Sequence, residues 1–563
     1  MYQPIVICLA SLSLVYVFSQ YRALQRHIKE AKSTGFSYVV CPIYFTSIPW
    51  IILQESFLPL LSRLPKTWTD SWLPLSLFYR IWHCGYEPFR KQGEDTFMVA
   101  SPGGNLLWTC DPSISMQVLN RSKDFPKKVD MLAMLNMYGP TVTASEGEEN
   151  RLYRKIATPS FNETTHSLVW SEAEVQAKKI TAHWHDTDGY VANIVGDSNR
   201  FALHILTKVF YGRELGWNQK EQIPPSHVLP FSKAISDVFH YNDVLFLTPR
   251  TILNNSPFRK HREAKLAFVE FRKYLEEIRD ATASRLHQVK PPEDEASLLE
   301  NFVMAGTPGL QKDVSLTIPP AAVMGNLFIF ILAGHETSAN LMANAITLLA
   351  CFPAFQSAMQ ISIDAVFSDD TLRDRSYPEA FTKLLDTHVG ALMKETLRLY
   401  AVLPFIPKTV SSGTQSVMVN GEQRLIPEGT VIMVNTSALH RSPKNWPPPR
   451  GHHFVGEGSP FPLSSFYPER WMSNSTDVAF DPVPGAYMPF GEGFRACMGS
   501  RFARVEFCAA IANIFREYNV ELANENTESA LAEAAESLST GIVFEMGIKP
   551  GRPVPLRFVR RSS

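Results

Sequence analysis

The 563-residue chain lacks an excess of charge of either sign, with 54 Lys plus Arg against 55 Asp plus Glu. No global field therefore points to nucleic acid or another polyanionic partner. It also lacks paired cysteines. The seven present (Cys8, Cys41, Cys84, Cys110, Cys351, Cys497 and Cys508) are scattered, odd in number and without CxxC spacing. That pattern speaks against a disulfide framework or a zinc site and for a reducing compartment. Repeats and long low-complexity tracts are absent as well. What is present, 45% hydrophobic and 19% charged residues, suits a globular protein with a substantial core. The length fits one large enzyme as well as several ordinary domains.

The first three residues, Met1-Tyr2-Gln3, lack the positive charge that a cleaved signal peptide places before its apolar run. The run itself, PIVICLASLSLVYVF over 4–18, is followed by Arg22, Arg26, Lys29 and Lys32. By the positive-inside rule this is expected of an N-terminal transmembrane anchor with the rest of the chain cytosolic, at the short limit for a span. A second apolar stretch, 38–61, is broken by Pro42, Pro49 and Pro59 and is read as lying on the membrane or packed on the domain. Residues 1–20 are thus assigned to a membrane anchor, 21–65 to a basic, then apolar, membrane-proximal linker, and 66–563 to one catalytic domain.

Between 161 and 412 apolar residues recur at three- and four-residue spacing, predicting helices over 172–184, 200–211, 259–286, 320–351 and 381–400. Pro319-Pro320 suits a first helical turn. Short runs at 96–102, 105–109, 416–419 and 430–434 read as strands. The stretches 447–462 and 524–539 read as irregular. The fold class expected is mostly α with a minor β lobe.

The most informative stretch is Pro489-Phe490-Gly491-Glu492-Gly493-Phe494-Arg495-Ala496-Cys497-Met498-Gly499. A lone cysteine is ordinarily a small buried hydrophobe, but this one has unusual surroundings. Gly493 and Gly499 let the backbone turn tightly and approach a flat ligand. Backbone N–H groups and the start of the following helix can stabilise a thiolate, and Arg495 offers a fork of donors for a carboxylate. A thiolate in a glycine-rich pocket beside an anion-binding arginine suits a haem iron with its propionates. Phe-x-x-Gly-x-Arg-x-Cys-x-Gly resembles the haem-binding loop of the cytochrome P-450 superfamily. The resemblance implies Cys497 as axial ligand of the iron, with Phe490, Gly493, Arg495 and Gly499 around the cofactor.

Further motifs follow in the family's order. Ala333-Gly334-His335-Glu336-Thr337 interrupts a long apolar helix, where polar side chains are costly to bury without partners. It resembles the oxygen-binding helix of the same superfamily, which implies catalytic roles for Glu336 and Thr337 in proton delivery. A helix kink or a polar surface patch is the blander alternative. Glu395-Thr396-Leu397-Arg398 followed by Phe466-Tyr467-Pro468-Glu469-Arg470-Trp471 resembles the family's structural triad, Glu395, Arg398 and Arg470. Alone, the first pair would read as a surface ion pair. The segment 148–155 resembles the helix that reaches a haem propionate, with Arg154 at the basic position and Asn150 where the family often has Trp. Pro404-Phe405-Ile406-Pro407-Lys408 resembles the segment passing over the haem, with Lys408 where Arg is more usual. His440-Arg441 is read either as near the haem edge or as structural.

The resemblance covers nearly everything after the anchor, and its details are similar to filamentous-fungal microsomal members. It implies a monooxygenase that inserts one atom of O2 into a lipophilic small molecule, with haem b as cofactor and NADPH and flavins acting only through a reductase partner. A small cytochrome is a second possible electron donor. Walls of the substrate pocket are expected from Phe330, Ala333, Leu403, Phe405, Gly541 and Ile542. The expected setting is the endoplasmic reticulum membrane and fungal secondary metabolism. Two alternatives stay open: a haem-thiolate isomerase or dehydratase acting on peroxides without a reductase, and a non-enzymatic haem sensor.

Overall fold

The computed structural model describes residues 3–217, 222–292, 295–311, 313–368, 377–447, 466–473, 479–524, 527–544 and 547–561. Its architecture is mostly helical with small sheets, as the sequence predicts. The helices that shape the site are α1 (Gln3–Ser33), α2 (Ile48–Leu61), α3 (Gly147–Ala157), α4 (Glu163–His185), α5 (Ile194–Tyr211) and α6 (Phe231–His240). They are followed by α7 (Arg259–Gln288), α8 (Pro320–Cys351), α9 (Glu379–Leu385), α10 (His388–Leu399), α11 (Ser500–Glu517) and α12 (Thr527–Ser537).

Helix α8, 32 residues long, is the axis of the molecule. It is apolar on every face and buried along nearly all its length, which marks a core helix rather than an amphipathic one. It begins at Pro320, where the missing N–H costs nothing. At its contact with α5, a Cβ on Gly334 would lie 2.1 Å from Leu206 Cδ1, the tip of a flexible side chain.

A five-stranded sheet runs β1 (Tyr38–Val40), β2 (Thr96–Ser101), β3 (Gly104–Thr109), β8 (Val431–Val434) and β5 (Ile406–Thr409) in spatial order. The other sheets pair β6 (Gln415–Val419) with β7 (Glu422–Ile426), β10 (Ile542–Phe544) with β11 (Ile548–Pro550), and β12 (Leu556–Arg560) with β4 (Tyr190–Val191) and β9 (Tyr518–Leu522). β1 pairs in parallel with β2, Tyr38 opposite Met98. The region assigned to a linker therefore contributes an edge strand to the large sheet.

Three expectations need correcting. The periodicity over 381–400 is split between α9 and α10, because the Thr387 side chain caps Val389 N and starts a new helix. The segment 524–539 is not irregular throughout: α12 buries Ala530 and Ala534, Leu538 follows at the same spacing just past its end, and small alanines conceal that periodicity in sequence. The expected N-terminal transmembrane helix is not shown: the helix there, α1, runs from Gln3 to Ser33 through the basic residues. Among the described residues no single helix is long and apolar enough to cross a membrane. Residues 448–465, most of the other stretch read as irregular, lie outside the described residues.

Candidate active site

The cysteine loop is closed by backbone bonds. Cys497 N–H donates to Phe490 O at 2.9 Å and Ala496 N–H to Gly493 O at 3.1 Å. Gly493 has φ +69°, and a Cβ there would sit 2.7 Å from Leu119 O, so the turn admits no side chain. At Gly499 a Cβ would make only ordinary contacts, 3.7 Å from Phe161 and 4.0 Å from Cys497 Sγ. Cys497 is exposed and lines a large cavity. Dense protein on its other sides raises the thiol pKa, opposed by the Gly499 N–H and the charges of Arg154 and Arg504. Cys508, on α11, is fully buried, and burial pushes it up to about 12.

The cavity has a volume of about 3140 Å³, far above that of an ordinary ligand pocket. Phe490, Cys497 and Gly499 line it on one side, and Ala333, Gly334, Glu336 and Thr337 of α8 on another. Phe330, Leu403, Phe405, Gly541 and Ile542, the expected substrate walls, all reach it. An aromatic cluster closes one end: the Phe405 ring lies 5.6 Å from Phe78 and 6.0 Å from Phe544.

On α8, Thr337 Oγ1 donates to Ala333 O at 2.8 Å, one turn back. This is the local bond that competes with a relay role, although the oxygen keeps its acceptor capacity. Glu336 lies 3.7 Å from Lys549 Nζ, on the β10–β11 hairpin. Neighbouring His335 donates Nδ1–H to Ile331 O and packs on Phe239, and burial brings it down to about 4. Glu506, which no motif argument singled out, is buried on α11 and pushed up to about 8 by burial, opposed by the Ser338 hydroxyl.

A cationic corner flanks the cavity. Arg495 donates to the carbonyls of Val142 and Ser145 and meets Glu146 at 3.0 Å, while its Nε is buried without a hydrogen-bond partner. Arg154 lines the cavity; both of its terminal nitrogens donate to Ala496 O at 3.2 Å and its guanidinium covers Phe494. It braces the cysteine loop. Lys408 is buried just off the cavity wall, and its Nζ has no hydrogen-bond partner. Asn150 is buried and donates to Val142 O instead of facing the cavity. Lys127, absent from every sequence motif, does line the cavity.

Behind the cysteine loop, Arg398 grips Glu395 with two bonds of 2.7 and 2.9 Å, and Arg470 Nε lies 3.3 Å from the same carboxylate. Trp471 Nε1 and Tyr467 N also donate to it. Burial raises the Glu395 pKa, but Arg398 and Arg470 outweigh it and hold the carboxyl below its ordinary value. His440 belongs to this layer. Its carbonyl accepts from Arg398, its ring accepts from Met488 N, and burial brings it down to about 3.

A large cavity beneath a long core helix, with a loop cysteine facing into it, defines a haem-thiolate enzyme. The chain matches the family model described as cytochrome P-450 over residues 81–541 and belongs to that family. It is 27% identical to a cytochrome P-450 monooxygenase of Arthrobotrys oligospora, over 89% of this chain and 88% of that protein. It is 25% identical to the phomenoic acid biosynthesis cluster cytochrome P-450 monooxygenase of Leptosphaeria maculans, over 91% of each. The crystal structure of the cytochrome P-450DA haem domain superposes with a TM-score of 0.63 at 19% identity, covering 85% of this chain and 92% of that one. The protein is therefore a monooxygenase of this family, with a cysteine-ligated haem b as cofactor and a redox partner reductase as the usual electron source.

The residues present fit that group. Lys408 Nζ and Arg495 Nε are buried cationic donors without hydrogen-bond partners, as an absent pair of carboxylates would leave them.

Proposed function

We propose that the enzyme oxidises a lipophilic small molecule of fungal secondary metabolism with electrons drawn from NADPH through a membrane-bound reductase. The observation that carries this reading is a single cavity lined by Cys497 of the loop and by Glu336 and Thr337 of α8. Haem held there supplies oxygen activation. Cys497 would hold the iron, with Phe490, Gly493 and Gly499 against the ring and Arg495 toward its acidic edge. Phe330, Ala333, Leu403 and Phe405 exclude water from the substrate and favour an apolar one. Thr337 would hold a proton at Oγ1 within reach of the reacting oxygen, and Glu336 would resupply it.

The name of the Leptosphaeria maculans relative supports the secondary-metabolism assignment. The charge pattern of the N-terminus and the exposed Leu12, Leu14, Val15, Val17 and Phe18 of α1 support attachment to the endoplasmic reticulum membrane, catalytic domain in the cytosol. Turnover of a lipophilic substrate panel with purified reductase tests the reading. Product that requires NADPH and reductase is expected. Conversion of organic hydroperoxides without any reductase would favour the isomerase alternative, and haem binding without turnover of either kind would favour the sensor.

A further inference from the structure

We propose that Lys127, backed by Lys408, forms a proton-dependent clamp on the acidic edge of the haem, so that the cofactor is held firmly near neutral pH and loosened in alkaline medium. This rests on the reading of the cavity as a haem site with Cys497 as ligand.

The corner is built from three separate segments. Lys127 and Lys408 face one another across an isolated antiparallel bridge, and Thr409 N–H donates to Pro126 O at 3.0 Å, which ties the loop to β5. Lys127 Nζ donates to Thr143 O at 3.2 Å, and its backbone N–H to Glu146 Oε2 at 3.1 Å. Arg495 enters from the cysteine loop and shares the same Glu146 carboxylate. Arg154 stands farther along, on Ala496 O, and Lys128 is paired outward with Asp130. Lys127, Lys408 and Arg495 therefore meet one carboxylate, Glu146, among the described residues.

A buried cluster with more cations than anions is costly unless an anionic ligand completes it or its members lose protons. The two lysines show the second response. Burial, then repulsion from Arg495 and Lys408, brings Lys127 down to about 7, with Glu146 opposing. Burial brings Lys408 down to about 8, with Glu146 opposing and Arg495 adding to the shift. An arginine in either place would keep its charge throughout.

The sign of the pH effect follows. In the empty site both lysines shed protons as pH rises through about 7 and about 8. A pair of carboxylates at the corner favours the protonated forms and raises both values. Seating the haem therefore takes up protons above neutral pH, and each lysine weakens the seat by up to about tenfold per pH unit until its loaded-site value is reached. Lys127, on the cavity wall, should dominate. Lys408, behind it, should act chiefly through charge.

The test is haem transfer from the full-length holoprotein to excess apomyoglobin, followed by Soret absorbance between about pH 6.5 and about pH 9.5. The wild-type transfer rate should rise at least about tenfold across that range, and Lys127→Arg should flatten the rise to under about threefold. Lys127→Met should transfer haem quickly even at the acid end. A flat wild-type profile, or an equally steep one in Lys127→Arg, would overturn the clamp. The CO spectrum of the reduced wild type at the acid end separates the two ideas. A thiolate-type band with flat transfer rates removes the clamp alone, whereas no such band removes the haem-site reading beneath it.

Discussion

At the scale of single residues, two side chains carry the proposed chemistry and each can be tested apart from the fold. Cys497→Ala should abolish the thiolate-type Soret shift on CO binding, because Cys508 is fully buried on α11 and cannot reach the cavity. Loss of the band in Cys508→Ala with its retention in Cys497→Ala would reverse the assignment. Thr337 is the finer case, since its hydroxyl already donates to Ala333 O. If the oxygen holds a proton for the reacting centre, Thr337→Ala should bind substrate normally but release hydrogen peroxide in place of product as NADPH is consumed. Thr337→Ser, which keeps the hydroxyl, should stay largely coupled. Equal product per NADPH in wild type and Thr337→Ala would leave only the helix-bending role. That Cys497, Thr337 and Glu336 share one cavity was legible in sequence because each sits in a contiguous motif. Lys127 and Lys549 were not, because each reaches the site through a loop or hairpin whose position only the folded sheet decides.

At the scale of elements, sequence periodicity served well where an element is long or bounded by turn residues. Helix α8 and strands β2 and β3 lie where the pattern puts them within a residue or two. It failed where tertiary contacts choose the boundary. A Cβ on Gly390 would meet Leu385 O at 2.0 Å, so the chain entering α10 folds tightly on α9, and no apolar spacing records that. α10 matters because it carries Glu395, whose carboxylate joins this helix to the segment around Arg470 and Trp471. Its exposure is 0%, so removing it strands two buried guanidinium groups. Glu395→Ala should cost about 3–5 kcal/mol and give little haem-loaded protein. A normal melting temperature and haem content in that variant would show that the network does not hold the cysteine loop in place.

At the scale of the whole molecule, the exposed apolar surface of the first helices bears on the proposed attachment to a membrane. Exposed apolar side chains recur on α1 (Leu12, Leu14, Val15, Val17, Phe18) and again on α2 (Ile48, Ile52, Phe57, Leu60). Runs of this kind on a free-standing protein are an aggregation hazard, and a lipid surface would cover them. α2 also supplies Ile48, Ile51 and Ile52 to the cavity wall, so a membrane covering that helix would lie beside the space where an apolar substrate is oxidised. The basic residues Arg22, Arg26, Lys29 and Lys32 follow the apolar run and favour the cytosolic side for everything after it. Glycosylation offers an independent check on that orientation. Asn120 and Asn162 begin Asn-x-Ser/Thr tripeptides, and Asn120 is exposed. Asn435 begins another but is fully buried and caps Ala438 N, so it could not be modified in the folded protein on either side. With the domain in the cytosol, protease added to intact microsomes should digest it, and deglycosylation should leave its mobility unchanged. A protected domain together with a mobility shift that Asn120→Gln removes would place the catalytic domain in the lumen, away from a cytosolic reductase, and would overturn both the orientation and the electron route built on it.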